Sequence, residues 1–240
     1  MSDGSIATHA RRDATLMSET PAEARATTPH RYIVVEGPIG VGKTSLARRL
    51  ATSFGSELVL EQGEDNPFLE RFYRNPRAAA FQTQLYFLFQ RARQLQDLHQ
   101  QDLFETVRVA DYLLDKDRLF ARLTLDEEEY ALYEQVYTRL SIDAPAPDLV
   151  VYLQAPVDVL LDRIARRGID YERSIERRYL ERLVEAYARF FLEFQAAPVL
   201  IVNAAEIDPI GNERDYRGLL AEISRARRGR HYFNPLKSLL

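Results

Sequence analysis

From residue 31 onward, hydrophobic and polar positions alternate as short apolar runs and helix-spaced stretches. Tyr32-Ile-Val-Val-Glu36 is a β-branched run, a glycine-rich turn follows it, and Lys43-Thr-Ser-Leu-Ala-Arg-Arg-Leu50 repeats its apolar positions with helical spacing. A second strand fits Glu57-Leu-Val-Leu-Glu61, after Gly55, and Asp65-Asn66-Pro67 starts a short helix bearing Phe68, Leu69, Phe72 and Tyr73. Asn75-Pro76 opens a long helix to about residue 104, whose Phe81, Leu85, Leu88, Ala92 and Leu95 form one stripe in steps of three or four. Further strands are expected at 106–110, 149–153 and 198–203, and helices near 115–124, 126–142, 156–167, 174–196 and 212–227. Short apolar strands alternating with helices predict an α/β fold, a five-stranded parallel sheet with helices on both faces.

Composition adjusts this picture at its edges. A chain of 240 residues with 46% hydrophobic and 28% charged residues buries one sizeable core, and no repeat recurs at a fixed period, so one domain is expected over residues 30–230. Residues 1–29 are rich in Ala, Thr, Ser, Glu and Arg without a hydrophobic period and predict a disordered tail. Residues 231–240 form a short C-terminal tail that docks or frays. A net charge of −4 gives no basic excess for nucleic acid. No window approaches the roughly 18 apolar residues of a membrane span, and the first residues lack a secretory pattern, so no membrane partner and a cytoplasmic location are expected. Cysteine is absent, which excludes disulfides, thiolate catalysis and thiolate metal sites. Of the 32 basic residues only Lys43, Lys116 and Lys237 are lysines.

The strongest chemical signal is Gly37-Pro38-Ile39-Gly40-Val41-Gly42-Lys43-Thr44, which matches G-x-x-x-x-G-K-[ST] between an expected strand and an expected helix. Glycines let successive backbone N–H groups turn toward a phosphate, and the helix N-terminus adds its positive dipole. Lys43 then reaches the β- and γ-phosphates of ATP, Ser45 follows in the first helical turn, and the Thr44 hydroxyl is a ligand for Mg²⁺. Such a loop identifies a nucleotide and leaves the reaction open. An Asn-Lys-x-Asp segment for guanine is absent, which disfavours a switch GTPase.

From about Tyr32 to about Val202 the chain resembles the deoxynucleoside kinase family. The marks are Glu36-Gly-Pro-Ile-Gly-Val-Gly-Lys-Thr44, Leu58-Val-Leu-Glu61 with Asn66-Pro-Phe-Leu69, Phe72-Tyr73-x-Asn-Pro76, and Phe81-Gln-Thr-Gln84 through Arg91. The Asn-Pro-Phe-Leu segment is similar to the bacterial branch of deoxyadenosine and deoxyguanosine kinases. The resemblance implies the P-loop kinase fold with an arginine-rich lid. It also implies phosphorylation of the 5′-hydroxyl of a deoxynucleoside, purine preferred, by ATP with Mg²⁺, for nucleotide salvage.

Its site residues can be carried over one at a time. Glu61 ends the second apolar run, where open α/β sheets place ligand groups, and is the expected base for the 5′-hydroxyl, with Glu64 the nearby competitor. Tyr73 would contact the sugar. Gln84, eleven residues later, would read the base, with Gln82 beside it as a decoy. Arg91 lies two turns from Gln84 on the same helix face. That face is either a base-binding wall or a solvated polar surface. Asp111, one residue past the third strand, is the candidate substrate-side and metal carboxylate with Thr44. The family's Glu-Arg-Ser is missing there, and Lys116, Arg118 or the lid is left to supply its cation, while Asp115 and Asp117 fit a helix start. Seven arginines occur between 163 and 182. Arg163, Arg166 and Arg167 resemble lid arginines and Glu172 the carboxylate near the sugar hydroxyl, whereas Arg173, Arg177, Arg178 and Arg182 suit a solvated helix. The helices between 78 and 142 are the expected homodimer surface. The rivals are a thymidylate-type nucleoside monophosphate kinase and a non-catalytic nucleotide-binding regulator.

Overall fold

A computed structural model of the chain describes residues 26–100, 107–140 and 145–234, with side chains through residue 94 in the first stretch. The tail expected over 1–29 lies outside the described residues as far as residue 25, and the chain beyond 234 does likewise. At the start of the described chain the Ala26 N–H donates to Ser53 O, and His30 is buried against Ile223 O.

The elements run β1 (Tyr32–Glu36), α1 (Lys43–Phe54), β2 (Glu57–Val59), α2 (Leu69–Arg74), α3 (Pro76–Gln100), β3 (Arg108–Ala110), α4 (Lys116–Thr124) and α5 (Glu127–Arg139). They continue with β4 (Leu149–Gln154), α6 (Val157–Arg167), α7 (Arg177–Glu193), β5 (Val199–Asn203), α8 (Glu213–Arg225) and β6 (Arg230–Phe233). Single 3₁₀ turns cover Gly63–Asp65 and Asp170–Ser174. All strand pairs are parallel, in the order β2-β3-β1-β4-β5-β6.

The sheet therefore has six strands, correcting the expected five. Residues 230–233 pair with β5 from Val199↔Arg230 to Val202↔Phe233. As an edge strand β6 alternates exposed and half-buried residues, so its apolar signal is weak. The central strands are apolar throughout because helices cover both faces, and Ile33, Val34, Val35, Val150, Val151 and Leu200 are wholly buried.

Chain direction around β1 places the site. From β1 the chain moves outward to β2 and returns by β3, then crosses to β4 on the other side, so a crevice opens at the C-terminal ends of β1, β3 and β4. The glycine-rich turn, Glu61, Asp111 and Ala204 all follow the C-terminal ends of strands. An aromatic column of Tyr152 on β4 with Tyr187 and Phe191 on α7 pins α7 under that edge, with Tyr152 and Phe191 stacked at 4.2 Å.

Candidate active site

Residues 37–42 wrap tightly into α1. Gly40 and Gly42 have φ of 82° and 104°, in the left-handed region that favours glycine. At Gly40 there is also no room, since a Cβ would stand 2.8 Å from Ile164 Cγ1 and 2.9 Å from Leu160 O of α6. Lys43 curls back over the loop and donates to Gly37 O (2.8 Å) and Pro38 O (3.3 Å). Burial and then the nearby Lys116 ammonium lower its pKa, against the pull of Glu36, Glu61 and Asp111. A cleft of about 460 Å³ opens here, lined by Ile39 through Leu46, by Arg163, Arg166 and Arg167 of α6, and by Ile207 through Ile210 beyond β5. Its size and its loop of backbone amides suit a nucleotide.

Three carboxylates meet at one end of this loop. The Thr44 hydroxyl donates to Asp111 Oδ2, while Asp111 Oδ1 accepts the Glu61 backbone N–H at 2.7 Å. One hydroxyl and one carboxylate are hard oxygen donors, and Mg²⁺ is usually held by one or two carboxylates plus waters and phosphates. Among the described residues no three His, Asp or Glu side chains are placed to hold a metal ion by themselves, so the donor set fits a metal brought in with nucleotide phosphates. Glu61 is ion-paired with Arg91 through Oε1 and with Lys116 at 3.4 Å through Oε2. Burial alone would raise its pKa, but Arg91, Lys116 and Lys43 outweigh burial and hold the carboxyl at about 2. Glu36, wholly buried, accepts from Gly37 N (2.9 Å), Leu113 N (2.9 Å) and the Tyr187 hydroxyl (3.0 Å).

Helices α3 and α4 build a polar wall beside Glu61. Gln84 Nε2 donates to Thr124 Oγ1 at 3.3 Å at one end, and Arg91 ion-pairs with Asp117 at the other. Each pair of positions is seven residues apart, about 10 Å along its helix, so the two antiparallel helices match rung to rung. Gln84 and Arg91 are each 3% exposed, so this face is an internal wall and not a solvated surface. Apolar residues of the same helix, Leu85 and Leu88, pack with Ala121 and Tyr133 on the same side. Several buried polar atoms here lack hydrogen-bond partners among the described residues: Asp117 Oδ2, Arg91 Nε and the hydroxyls of Tyr112 and Tyr133. Such atoms are costly when left unmatched and mark a place built for polar company.

Across the cleft, Arg167 holds Glu172 through two hydrogen bonds of 3.0 and 2.6 Å. Burial raises the Glu172 pKa, opposed by Arg167. Tyr73 stacks on Tyr171 at 6.0 Å, so the expected sugar-contacting residues Tyr73 and Glu172 sit on adjoining segments. Arg163 donates to Val41 O (3.1 Å) and Ala204 O (2.6 Å), tying α6 to the glycine-rich loop and to the turn after β5. Arg166 is exposed and paired with Asp162. Arg173 and Arg177 are exposed surface pairs with Asp170 and Asp158, and Arg178 and Arg182 are exposed as well.

The structure thus brings Lys43, Thr44, Glu61, Arg91 and Asp111 into one connected group, with Gln84 on the adjoining wall. The competitors fall away by position: Glu64 and Gln82 are exposed, and Arg118 is paired with Glu134 away from the loop. Sequence reasoning missed Glu36 and Asp117. Asp115 does stand at the N-cap of α4, but Asp117 is wholly buried against Arg91.

The sequence profile described as Deoxynucleoside kinase matches residues 33–226. A deoxyguanosine kinase of Bacillus subtilis is 36% identical over 197 residues, 80% of this chain and 95% of that protein. A deoxyguanosine kinase of Lactobacillus johnsonii is 31% identical over 206 residues, 80% of this chain and 90% of that protein. Among solved structures, a deoxyadenosine kinase from M. mycoides with bound dATP superposes with a TM-score of 0.70 at 25% identity, covering 80% of this chain and 98% of that one. On the strength of the profile match and these relatives, the chain belongs to the deoxynucleoside kinase family.

Proposed function

We propose that the enzyme transfers the γ-phosphoryl group of ATP to the 5′-hydroxyl of a deoxynucleoside, giving a deoxynucleoside monophosphate and ADP, with purine deoxynucleosides preferred. The observation that carries this reading is Glu61: a carboxylate kept ionised at the mouth of the phosphate loop, linked through its own N–H to the Asp111–Thr44 pair. The loop amides and Lys43 hold the donor phosphates, and Thr44 and Asp111 would hold Mg²⁺. When bound, that ion supplies charge neutralisation on the phosphates. Glu61 accepts the 5′-hydroxyl hydrogen bond and orients the oxygen for attack. A carboxylate near pKa 2 is a weak base, which suits a reaction whose main demand is positioning and charge stabilisation.

The acceptor base belongs against Gln84 and the Arg91–Asp117 rung, with Tyr73 and Glu172 at the sugar. A Gln amide offers one donor and one acceptor, and Asp117 Oδ2 adds an acceptor. That set complements the O6 acceptor and amino donor of guanine, in line with the deoxyguanosine kinases among the relatives. Arg163 fixes the walls of the donor cleft, and Arg166 and Arg167 are the lid arginines free to meet phosphate by exchanging partners. The role is salvage in the cytoplasm, where ATP is supplied. A homodimer through the helices between 78 and 142 is part of this reading, with Phe89 on α3 and Leu132 on α5 exposed there. No helix among the described residues is long and apolar enough to cross a membrane.

A nucleoside monophosphate acceptor would need a cation for its phosphate. The buried cation of the acceptor wall, Arg91, is instead matched to two carboxylates, Glu61 and Asp117. An ADP-release assay across the four deoxynucleosides and their monophosphates tests the reading. Turnover with deoxynucleosides, led by deoxyguanosine or deoxyadenosine, is expected, and turnover with monophosphates alone would reject it.

A further inference from the structure

Among the described residues, Lys116 is the one buried cation that the steps above leave without a task. It begins α4, is 2% exposed, and its Nζ lies 3.4 Å from both Glu36 Oε2 and Glu61 Oε2. Neither carboxylate relies on it alone. Glu36 already accepts from two backbone amides and the Tyr187 hydroxyl, and Glu61 already has Arg91. A buried ion pair is a poor source of stability compared with apolar packing, so a redundant one asks for another reason. Its position supplies one: Lys116 is held on Glu36, and Lys43 donates to the carbonyl of the next residue, Gly37, at 2.8 Å. Two ammoniums held together at the end of a phosphate loop make a strong local field for an anion. In a chain that writes nearly all its cations as arginine, both are lysines, whose compact heads carry three rotatable donors.

We propose that Lys116 is a catalytic residue of phosphoryl transfer. Its ammonium, steered by Glu36, contacts the transferring phosphoryl group and releases Glu61 Oε2 to the 5′-hydroxyl. The bond formed joins the 5′-oxygen to the γ-phosphorus, the bond broken joins that phosphorus to the β,γ-bridging oxygen of ATP, and ADP leaves with the electron pair. The hydroxyl proton passes toward Glu61 and is lost to solvent. Lys116 keeps its protons throughout and acts by charge. Glu36, which touches no substrate in this scheme, is a positioning residue. The inference rests on the kinase reading above.

The chain's three lysines make the test direct. In protein labelled with nitrogen-15 at lysine, the side-chain ammonium signals of Lys43, Lys116 and Lys237 are followed as deoxyguanosine, Mg·ADP and aluminium fluoride are added to mimic the transferring group. The Lys116 signal is expected to move and its proton exchange to slow only when the fluoride completes the complex. Lys116→Gln keeps donors for both carboxylates without the charge. It is expected to lower kcat by about 100-fold while dissociation constants for Mg·ATP and deoxynucleoside change less than about threefold, with Lys116→Arg recovering at least tenfold of the loss. A Lys116 signal indifferent to the fluoride, or a kcat within threefold of wild type in Lys116→Gln, overturns the assignment. If Lys116→Gln does not fold, the wild-type ammonium signal decides alone. Wild-type protein that turns over no deoxynucleoside would instead overturn the kinase reading.

Discussion

Replacing Arg91 by Met tests the electrostatic core of the site. The guanidinium is buried between Glu61 and the wholly buried Asp117, and a methionine of similar reach leaves both acids without it. Glu61 is held at about 2 against a reference of 4.5, which corresponds to about 3 kcal/mol in favour of the charged form. Breaking a buried pair by removing one partner costs about 3–5 kcal/mol, the same range. For a domain of this size each kcal/mol moves the midpoint by about 2–4 °C, so Arg91→Met is expected to unfold about 6–12 °C below wild type at pH 7. The pH dependence has a definite sign. A carboxyl with a lowered folded pKa contributes stability above its unfolded value, and that contribution is lost as pH falls from about 4.5 toward about 2. Thermal unfolding by circular dichroism from pH 7 to pH 3 should therefore show the gap between variant and wild type narrowing below about 4.5. A gap under about 1 kcal/mol at pH 7, or one that stays constant down to pH 3, would refute the reasoning.

Other positions give separate readouts. Glu61→Gln should lower kcat by about 100-fold or more in steady-state assays with little change in donor affinity. Gly40→Ala should abolish donor binding by calorimetry, because its Cβ would meet the Leu160 carbonyl and Ile164 where the backbone already has φ of 82°. Asp117→Asn should change the kcat/KM ratio between deoxyguanosine and deoxyadenosine by at least about tenfold, since it exchanges an acceptor for a donor at the base wall. Tyr187→Phe removes one of three donors to Glu36 and should cost about 1 kcal/mol of stability in denaturant titration.

What could be read from the chain follows contiguity. The phosphate loop is one covalent segment, and its glycines, lysine and threonine keep their meaning wherever the strand and helix around them form. Glu61 and Asp111 were legible because a charged residue just past an apolar run marks the C-terminal edge of a parallel sheet. The partition of Gln84 and Arg91 from solvent was not legible, since their burial comes from α4 and α5 packing over α3. Asp117 has the pattern of an acid in a first helical turn, and only the pairing of α3 with α4 turns it inward. Glu36 reads as the last residue of a strand, while its partners come from the loop, the turn after β3 and α7. β6 escaped because an edge strand needs little apolar surface, and four residues after Gly229 offer too short a pattern.

The central claim is that phosphate moves from ATP to a deoxynucleoside 5′-oxygen oriented by Glu61. Single-turnover chemistry with ATP labelled in its γ-phosphoryl group measures this most directly. The account predicts label on the 5′-oxygen of deoxyguanosine or deoxyadenosine, transferred about 100-fold more slowly by Glu61→Gln with both substrates bound. Label appearing only on a nucleoside monophosphate or on water, or transferred equally fast by Glu61→Gln, would contradict it.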